Sequence, residues 1–170
     1  AVITTGLGDF SATVATSGFH TSGDITLAAI STTGTVTLNT PGNASVVNAV
    51  ALDLGASTVG GNLTATASNG NMIDSGVLAI TGTSAFTTSA NNATITLNTT
   101  TNTFTGAVTI TTNDDSGTDA DVTIDGGTTA LVLAASTIDG DLTVRSGNAS
   151  GITDSGTVAV GGNLAATTDA

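Results

Sequence analysis

The residues of this chain best suited to chemistry are aspartates, and five of them crowd into one stretch: Asp114, Asp115, Asp119, Asp121 and Asp125. Hard cations such as Ca²⁺ bind about six to eight oxygens. Asp119 and Asp121, on one face of a strand, could supply two carboxylates to a weak calcium site. The spacing matches no known calcium loop, however, and aspartate is also a common turn residue. We therefore predict a solvated turn here and assign no metal-binding residue.

Asp139 and Asp141 form a second pair, which we expect to share one face of a strand. Two carboxylates flanking a substrate are what glycoside hydrolysis requires. Such sites also use aromatic and basic side chains, whereas this chain has no Trp, no Tyr and one Arg, Arg145. We expect Arg145 to pair with a neighbouring aspartate, and His20 has no catalytic or metal-ligating set around it in sequence. The prediction is a protein that is not an enzyme, with no catalytic or cofactor-binding residue and no cofactor.

Composition excludes several classes of protein. Glu, Lys and Gln, which favour surface helices, are absent, and hydrophobic residues reach 39% against 8% charged residues, the reverse of a disordered chain. The net charge of −12 would repel nucleic acid, so no nucleic-acid partner is expected. No apolar run approaches the ~20 residues that span a bilayer, which predicts no membrane insertion. The absence of Cys excludes a disulfide framework.

Whole phrases of the sequence return after about 80 residues. Leu-Gly-Ala-Ser-Thr-Val at residues 54–59 returns as Leu-Ala-Ala-Ser-Thr-Ile at 133–138, and Asp-Ser-Gly at 74–76 returns at 154–156. Self-similarity at a fixed period is typical of a solenoid, in which stacked units bury their apolar faces against one another. The repeat therefore predicts a solenoid over residues 1–170, taken as a single segment of a longer repeat protein.

Within the repeat, a shorter phrase of apolar residue, threonine and apolar residue recurs. It occurs at residues 25–27, 36–38, 63–65, 95–97, 108–110, 122–124 and 142–144. On a strand, such a triplet points two aliphatic side chains inward and the threonine outward. Gly, Asn, Asp and Ser between the triplets indicate frequent turns.

These patterns predict an all-β fold, a parallel β-helix of roughly eight coils of about 20 residues, with four coils in each 80-residue unit. Phe86 and Phe104 lie 18 residues apart, about one coil, and are expected to stack as a ladder. The alternative fold is an antiparallel β-sandwich, which also has short strands and polar turns. It does not explain the return of whole phrases.

Pairs of threonines two residues apart place two hydroxyls on one strand face, where a regular array could bind glycan or ice. The pairs are Thr35/Thr37, Thr64/Thr66, Thr94/Thr96 and Thr109/Thr111. Their spacing along the chain is irregular, which argues against a single aligned column. Threonine is also simply a favourable exposed strand residue.

Longer phrases resemble a known family. They are Ala-Leu-Asp-Leu-Gly-Ala-Ser-Thr-Val-Gly-Gly-Asn-Leu-Thr (51–64), Gly-Asn-Leu-Thr-Ala-Thr-Ala (61–67), Ile-Asp-Ser-Gly-Val-Leu-Ala-Ile-Thr-Gly-Thr-Ser-Ala-Phe (73–86), Ile-Thr-Leu-Asn (95–98) and Asn-Thr-Phe-Thr-Gly-Ala-Val-Thr-Ile (102–110). They look like the β-strand repeats of large bacterial exoproteins of the filamentous haemagglutinin, two-partner-secretion type. The resemblance covers most of residues 25–170 and implies a right-handed β-helix shaft displayed at the bacterial cell surface.

From these observations we predict a structural role, as the shaft or fibre of a large extracellular, adhesin-like protein. The alternative is a binding module that recognises glycan or ice through its threonine face. The expected partner is another copy joined end to end, or a continuation of the same chain, because an uncapped solenoid exposes strand edges that pair with like edges.

Overall fold

The structure is a computed structural model that describes residues 3–6, 8–14, 23–113 and 119–169. In these residues the regular elements are all β-strands. Numbered in chain order, they are β1 (Ile3–Gly6), β2 (Phe10–Thr13), β3 (Ile25–Thr32), β4 (Thr35–Thr40), β5 (Ala44–Asn48), β6 (Leu52–Leu54), β7 (Ser57–Val59), β8 (Leu63–Ala67), β9 (Met72–Asp74), β10 (Leu78–Ile80), β11 (Ser84–Thr88), β12 (Ile95–Leu97), β13 (Thr103–Phe104), β14 (Val108–Thr111), β15 (Val122–Asp125), β16 (Leu131–Leu133), β17 (Ser136–Ile138), β18 (Leu142–Ser146), β19 (Ile152–Asp154), β20 (Val158–Val160) and β21 (Leu164–Thr168).

The strands form two long sheets that share one core. The first sheet runs β1, β3, β5, β8, β11, β14, β16, β19, with β17 beside β14 and β20 beside β17. The second sheet runs β13, β10, β7, β4, β6, β9, β12, β15, β18, β21, with β2 beside β4. The chain alternates between the sheets and winds through about seven turns. The predicted β-solenoid is confirmed.

Pairing in both sheets is parallel, which excludes the antiparallel sandwich. β8, for example, pairs in parallel with β5 on one side and with β11 on the other. In the described residues, antiparallel pairing is confined to one isolated bridge between Thr103 and Gly127. Parallel strands cannot be joined by tight hairpins, so each strand meets its partner only after the chain has gone once around the solenoid.

Side-chain alternation builds the core. In β8, Leu63 and Ala65 are buried while Thr64 between them is exposed, and β12 and β15 follow the same alternation. The buried aliphatic side chains form one cluster that extends from Ile25 to Val144. Burying each such Leu, Ile or Val contributes about 1.5–3 kcal/mol. The predicted direction of the apolar–Thr–apolar triplets is therefore confirmed.

The turns of the solenoid differ in length. Thr35 pairs with Asp53, whereas Ile95 pairs with Val122, so the second pair is separated by a much longer stretch of chain. The strands stay in register, and the extra residues are accommodated in the corners between them. The solenoid thus has about seven turns of uneven length, whereas the sequence predicted roughly eight coils of about 20 residues each.

The sequence repeat corresponds to three and a half turns, not to four. The first copy of the repeated phrase forms β6 and β7 in the second sheet, and the second copy forms β16 and β17 in the first sheet. Between them the chain passes from one sheet to the other seven times. Two successive copies of the repeat therefore lie on opposite sides of the solenoid.

Close approach of the backbone at one corner requires glycine. Gly61 lies over Gly42, Gly82 over Gly61, and Gly106 over Gly82. A Cβ atom added to Gly82 would lie 2.6 Å from the carbonyl carbon of Gly61, and one added to Gly106 would lie 2.5 Å from that of Gly82. Since non-bonded carbon atoms pack at about 3.5–4.0 Å, any larger residue would push the turns apart.

The two core phenylalanines do not form the predicted ladder. Phe86 lies in β11 and pairs with Ala65 and Ile110, whereas Phe104 lies in β13 and pairs with Ile80. They belong to opposite sheets of one turn, and their rings meet edge to face with centroids 5.9 Å apart. The residues between Phe86 and Phe104 make up less than one full turn of the solenoid here. The spacing of about one coil therefore wrongly suggested that the two rings stack in successive turns.

Candidate functional site

The acidic stretch places two aspartates on the outside of the solenoid. Asp119 and Asp121 precede β15, both exposed, with the fully buried Ala120 between them. Asp114 and Asp115 lie outside the described residues. In the part of the chain that the structure describes, no group of three or more acidic, His or Cys side chains could hold a metal ion.

Asp121 has a structural partner in the next turn. Its Oδ1 accepts the Asp141 N–H at 2.8 Å, and Asp141 Oδ1 in turn accepts the Asn163 N–H at 2.6 Å. On the other side of the solenoid, Asn43 and Asn62 accept backbone N–H groups of the following turn in the same way, at 2.9 Å each. These outward Asp and Asn side chains link successive turns at the corners, which explains their positions without a ligand.

Asp139 and Asp141 do not share a strand face, so that prediction is wrong. β17 ends at Ile138, and the two aspartates flank the corner at Gly140. Asp139 is 6% exposed, and its Oδ2 has no hydrogen-bond partner among the described residues, whereas Asp141 is half-buried. A corner interrupts the two-residue alternation on which the prediction relied.

Arg145 pairs with aspartates, as predicted. Its Nη1 donates to Asp125 Oδ2 at 2.8 Å, and its Nη2 donates to Asp169. These hydrogen bonds, the one to Asp125 first, raise the pKa of Arg145 above its ordinary value. The guanidinium thereby connects three consecutive turns. His20, the other basic candidate, lies outside the described residues.

A buried polar pair was missed by the sequence prediction. Asp74, 8% exposed, accepts the Asn98 N–H at 3.0 Å, the Thr99 N–H at 3.3 Å and the Asn102 side-chain amide at 2.7 Å. Burial raises the pKa of Asp74 above its ordinary value, although the hydrogen bonds oppose that effect. Asn102 Oδ1 also accepts the N–H of Leu78 at 2.8 Å. Two signals could have found the pair: Asp74 begins the repeated Asp-Ser-Gly phrase, and it occupies an inward position of β9.

Threonines form aligned columns on the first sheet, contrary to the prediction from their irregular spacing. Strand pairing places Thr66, Thr87, Thr111 and Thr137 in consecutive register, with Val47 before them and Ala159 after them. A parallel column contains Thr26, Ser45, Thr64, Ala85 and Thr109. Uneven corners absorb the irregular spacing along the chain, so the strands remain aligned. The face carries hydroxyl and methyl groups and no charge.

The predicted pairs are divided between the two sheets. Thr64/Thr66 and Thr109/Thr111 belong to the threonine columns of the first sheet, whereas Thr35/Thr37 and Thr94/Thr96 lie on the outside of the second sheet. On the second sheet, the column that contains Thr35 and Thr96 also contains Asp53 and Ile73, so that face is chemically mixed.

A family model matches the chain twice, at residues 41–111 and 119–170, and is described as repeats of unknown function, DUF5649. The chain belongs to this family. The first DUF5649 match begins just before β5 in the first sheet, and the second begins just before β15 in the second sheet. This agrees with the offset of three and a half turns between copies.

No curated protein and no solved structure matches the chain. The described part also contains no helix long and apolar enough to cross a membrane.

Proposed function

We propose that this protein is a structural stretch of an extended β-solenoid, serving as the shaft or fibre of a large bacterial surface protein. The observation that carries the proposal is the continuity of the strand ladders, which run along the axis through successive turns. Each turn is joined to the next by backbone hydrogen bonds, by the shared apolar core and by the corner Asp and Asn side chains. Such a stack transmits force along its axis and resists unwinding turn by turn.

The extracellular location rests on the resemblance of the repeat phrases to exoproteins of the filamentous haemagglutinin type. Composition supports it as well, because a chain with no Lys and one Arg offers trypsin-like proteases almost nothing to cleave. The right-handed sense of the coil and an adhesin-like role stay predictions of that resemblance. The proposal includes no enzymatic activity, no cofactor, no nucleic-acid partner and no membrane insertion.

Imaging and force measurement test the shaft. Negative-stain images of the intact parent protein should show rods, and pulling on residues 1–170 between handles should show force steps that release about one turn at a time. A compact particle, or unfolding with no mechanical resistance, would contradict the proposal. Labelling of intact cells with an antibody against residues 41–111, with and without permeabilisation, tests the surface location.

A second candidate function is binding through the threonine columns of the first sheet. What favours it is the register of Thr66, Thr87, Thr111 and Thr137, which repeats at the strand spacing of about 4.8 Å. An uncharged face with a regular repeat fits a regular surface such as ice or a glycan chain. Thermal hysteresis and a glycan array test this, with Thr87→Lys expected to abolish binding and Thr96→Lys, on the second sheet, to leave it unchanged.

A further inference from the structure

The corner between β8 and β9 carries the one Asn-Gly sequence of the chain, Asn69-Gly70. In such a sequence the backbone nitrogen of the glycine can attack the side-chain carbonyl carbon of the asparagine, because the two groups are close and no side chain shields the nitrogen. The attack closes a succinimide ring and expels ammonia, which is one reason why asparagine is thermolabile. In a folded protein, the reaction requires that the asparagine is exposed and that hydrogen bonds do not hold the two groups apart.

Both reacting groups of Asn69-Gly70 are free to move. The Asn69 side chain is exposed, and neither its amide nor the Gly70 N–H has a hydrogen-bond partner among the described residues. Hydrogen bonds hold only the flanks of the corner, where the Ser68 N–H and the Asn71 carbonyl bond to the preceding turn at 2.8 and 2.9 Å. The dipeptide can therefore rotate into the geometry of ring closure while the strands on either side stay paired.

The fold itself requires glycine at the attacking nitrogen. Gly70 has a φ of +121°, a conformation that residues with a side chain rarely adopt. A Cβ atom added there would also lie 3.1 Å from the Cβ of Ala51 in the preceding turn. The corner geometry thus fixes the residue that makes the sequence reactive.

The second copy of the repeat offers a comparison at Asn148, which corresponds to Asn69. Asn148 is half-buried and is followed by Ala149. Its Nδ2 donates to the Thr128 carbonyl at 2.8 Å, and its Oδ1 accepts the Ser150 N–H at 2.8 Å. Both ends of this amide are held, so attack on its carbon would first have to break two hydrogen bonds.

Two Asp-Gly sequences could close the same ring by loss of water, but their side chains are buried. Asp125 is paired with Arg145, and the Gly126 N–H donates to the Arg145 carbonyl at 2.9 Å. The other candidate, Asp139, is buried at its corner. Among these three sequences, Asn69-Gly70 is the one that combines an exposed side chain with unbonded reacting groups.

We propose that Asn69-Gly70 is a site of spontaneous modification, at which the folded protein slowly converts asparagine to aspartate and isoaspartate. The Gly70 nitrogen forms a bond to Asn69 Cγ, the Cγ–Nδ2 bond breaks, and the proton lost by the nitrogen leaves with the amide as ammonia. Water then opens the ring. Its attack on Cγ restores the normal backbone with an aspartate, whereas its attack on the main-chain carbonyl carbon leaves the backbone running through the side chain as isoaspartate. Either product adds a negative charge to the corner, and the inference does not depend on the proposed function.

The test is incubation of the folded 170-residue chain at mildly alkaline pH, below its melting temperature. Peptide mass spectrometry locates each change from amide to acid, and methyl transfer from S-adenosylmethionine by a protein-isoaspartate methyltransferase detects isoaspartate. We expect Asn69 to be the first asparagine to lose its amide. Asn69→Gln, which would have to close a larger ring, should remove the isoaspartate signal. An unchanged Asn69, or earlier loss of the amide at another asparagine, would overturn the proposal.

Ala149→Gly separates the effect of the fold from that of the local sequence, because it creates a second Asn-Gly sequence at Asn148. In the folded variant, verified by circular dichroism, Asn148 should react at least about tenfold more slowly than Asn69, since two hydrogen bonds must break first. In urea, where both corners are unfolded, the two rates should converge. Equal rates in the folded variant, or a difference that persists in urea, would show that the corner geometry does not select Asn69. None of these outcomes alters the imaging and pulling test of the shaft.

Discussion

Ser57 and Ser136, which occupy the same place in successive copies of the repeat, make the same two hydrogen bonds on opposite sheets of the solenoid. Ser57 Oγ accepts the Leu38 N–H at 3.0 Å and donates to the Gly55 carbonyl at 2.8 Å. Ser136 Oγ accepts the Ile110 N–H at 3.0 Å and donates to the Ala134 carbonyl at 2.9 Å. Each serine follows a break between two short strands, and there it replaces a backbone hydrogen bond that the ladder cannot make.

Ser57→Ala and Ser136→Ala should therefore destabilise the protein to similar extents. Each leaves a buried backbone N–H of the preceding turn without a partner, which costs about 1–3 kcal/mol. Urea unfolding monitored by circular dichroism measures the free energy of unfolding. The exposed neighbours supply matched controls, since Thr58→Ala and Thr137→Ala should change stability by less than about 0.5 kcal/mol. If Ser57→Ala left the free energy of unfolding unchanged, the hydrogen bonds of the Ser57 side chain would not stabilise this turn.

Asp74 should give stability a pH dependence opposite to that of a typical salt-bridged aspartate. Burial raises its pKa above the ordinary value of 3.8, so the folded state holds the proton more tightly than the unfolded state. Its contribution is therefore complete below pH 3.8 and is lost as the pH rises through the raised value. Carbon-13 NMR of the carboxyl group would measure the pKa directly.

Asp74→Asn removes that titration. We expect the difference in unfolding free energy between this variant and the parent to shift in favour of the variant as the pH rises above 3.8. Asp154→Asn is the control at the equivalent position, where the carboxylate is exposed. If the free energy of unfolding of Asp74→Asn changed with pH in the same way as that of the parent, the raised pKa of Asp74 would be contradicted.

Arg145→Gln should loosen the last turns of the solenoid. The substitution leaves the carboxylate of Asp125, which is 5% exposed, with the Gly127 N–H at 2.7 Å as its remaining hydrogen bond among the described residues. A buried carboxylate that loses its cation is destabilising. Hydrogen exchange at β18 and β21 should therefore accelerate. Asp169→Asn removes only the exposed partner and should have a smaller, salt-sensitive effect, and Thr143→Gln on the same strand should have none.

Phe86 and Phe104 should be energetically coupled although they lie on different sheets. Edge-to-face rings contribute about 0.5–1.5 kcal/mol beyond their buried area, so Phe86→Leu and Phe104→Leu should be non-additive by about that amount. A double-mutant cycle from urea unfolding measures the coupling. Pairing Phe104→Leu with Val144→Ala, two turns away, should give additive effects. Additivity of the two phenylalanine substitutions would mean that the rings do not interact.

The strands could be predicted because their signal is local. The alternation in Leu63-Thr64-Ala65 predicts which side chains face the core. The return of the phrase at residues 54–59 at residues 133–138 predicts that the turns of a solenoid stack on one another. The order of neighbours could not be predicted in the same way, because it depends on how many residues each corner holds. That is why the sequence suggested a Phe86–Phe104 ladder that does not exist, and why its irregular threonine spacing argued against a column that does exist, with Thr66 opposite Thr87.

The same limit explains the result for the acidic residues. Asp139 and Asp141 are two residues apart, as on a strand face, yet Gly140 turns the chain between them. The repeated Asp-Ser-Gly phrase could have drawn attention to Asp74, but not to its partners, because Asn98 and Asn102 come from the following turn and approach it only once the solenoid has wound. Contacts between turns are the part of this site that sequence spacing alone does not report.

Because one repeat advances by an odd number of half-turns, tandem copies follow a twofold screw along the rod. The same group of residues then points left in one copy and right in the next, about 17 Å further on at the usual strand separation. A ligand that binds that group of residues would therefore bind alternately on the two sides of the fibre. Because ligands on successive copies would lie on opposite sides, they would not clash with each other.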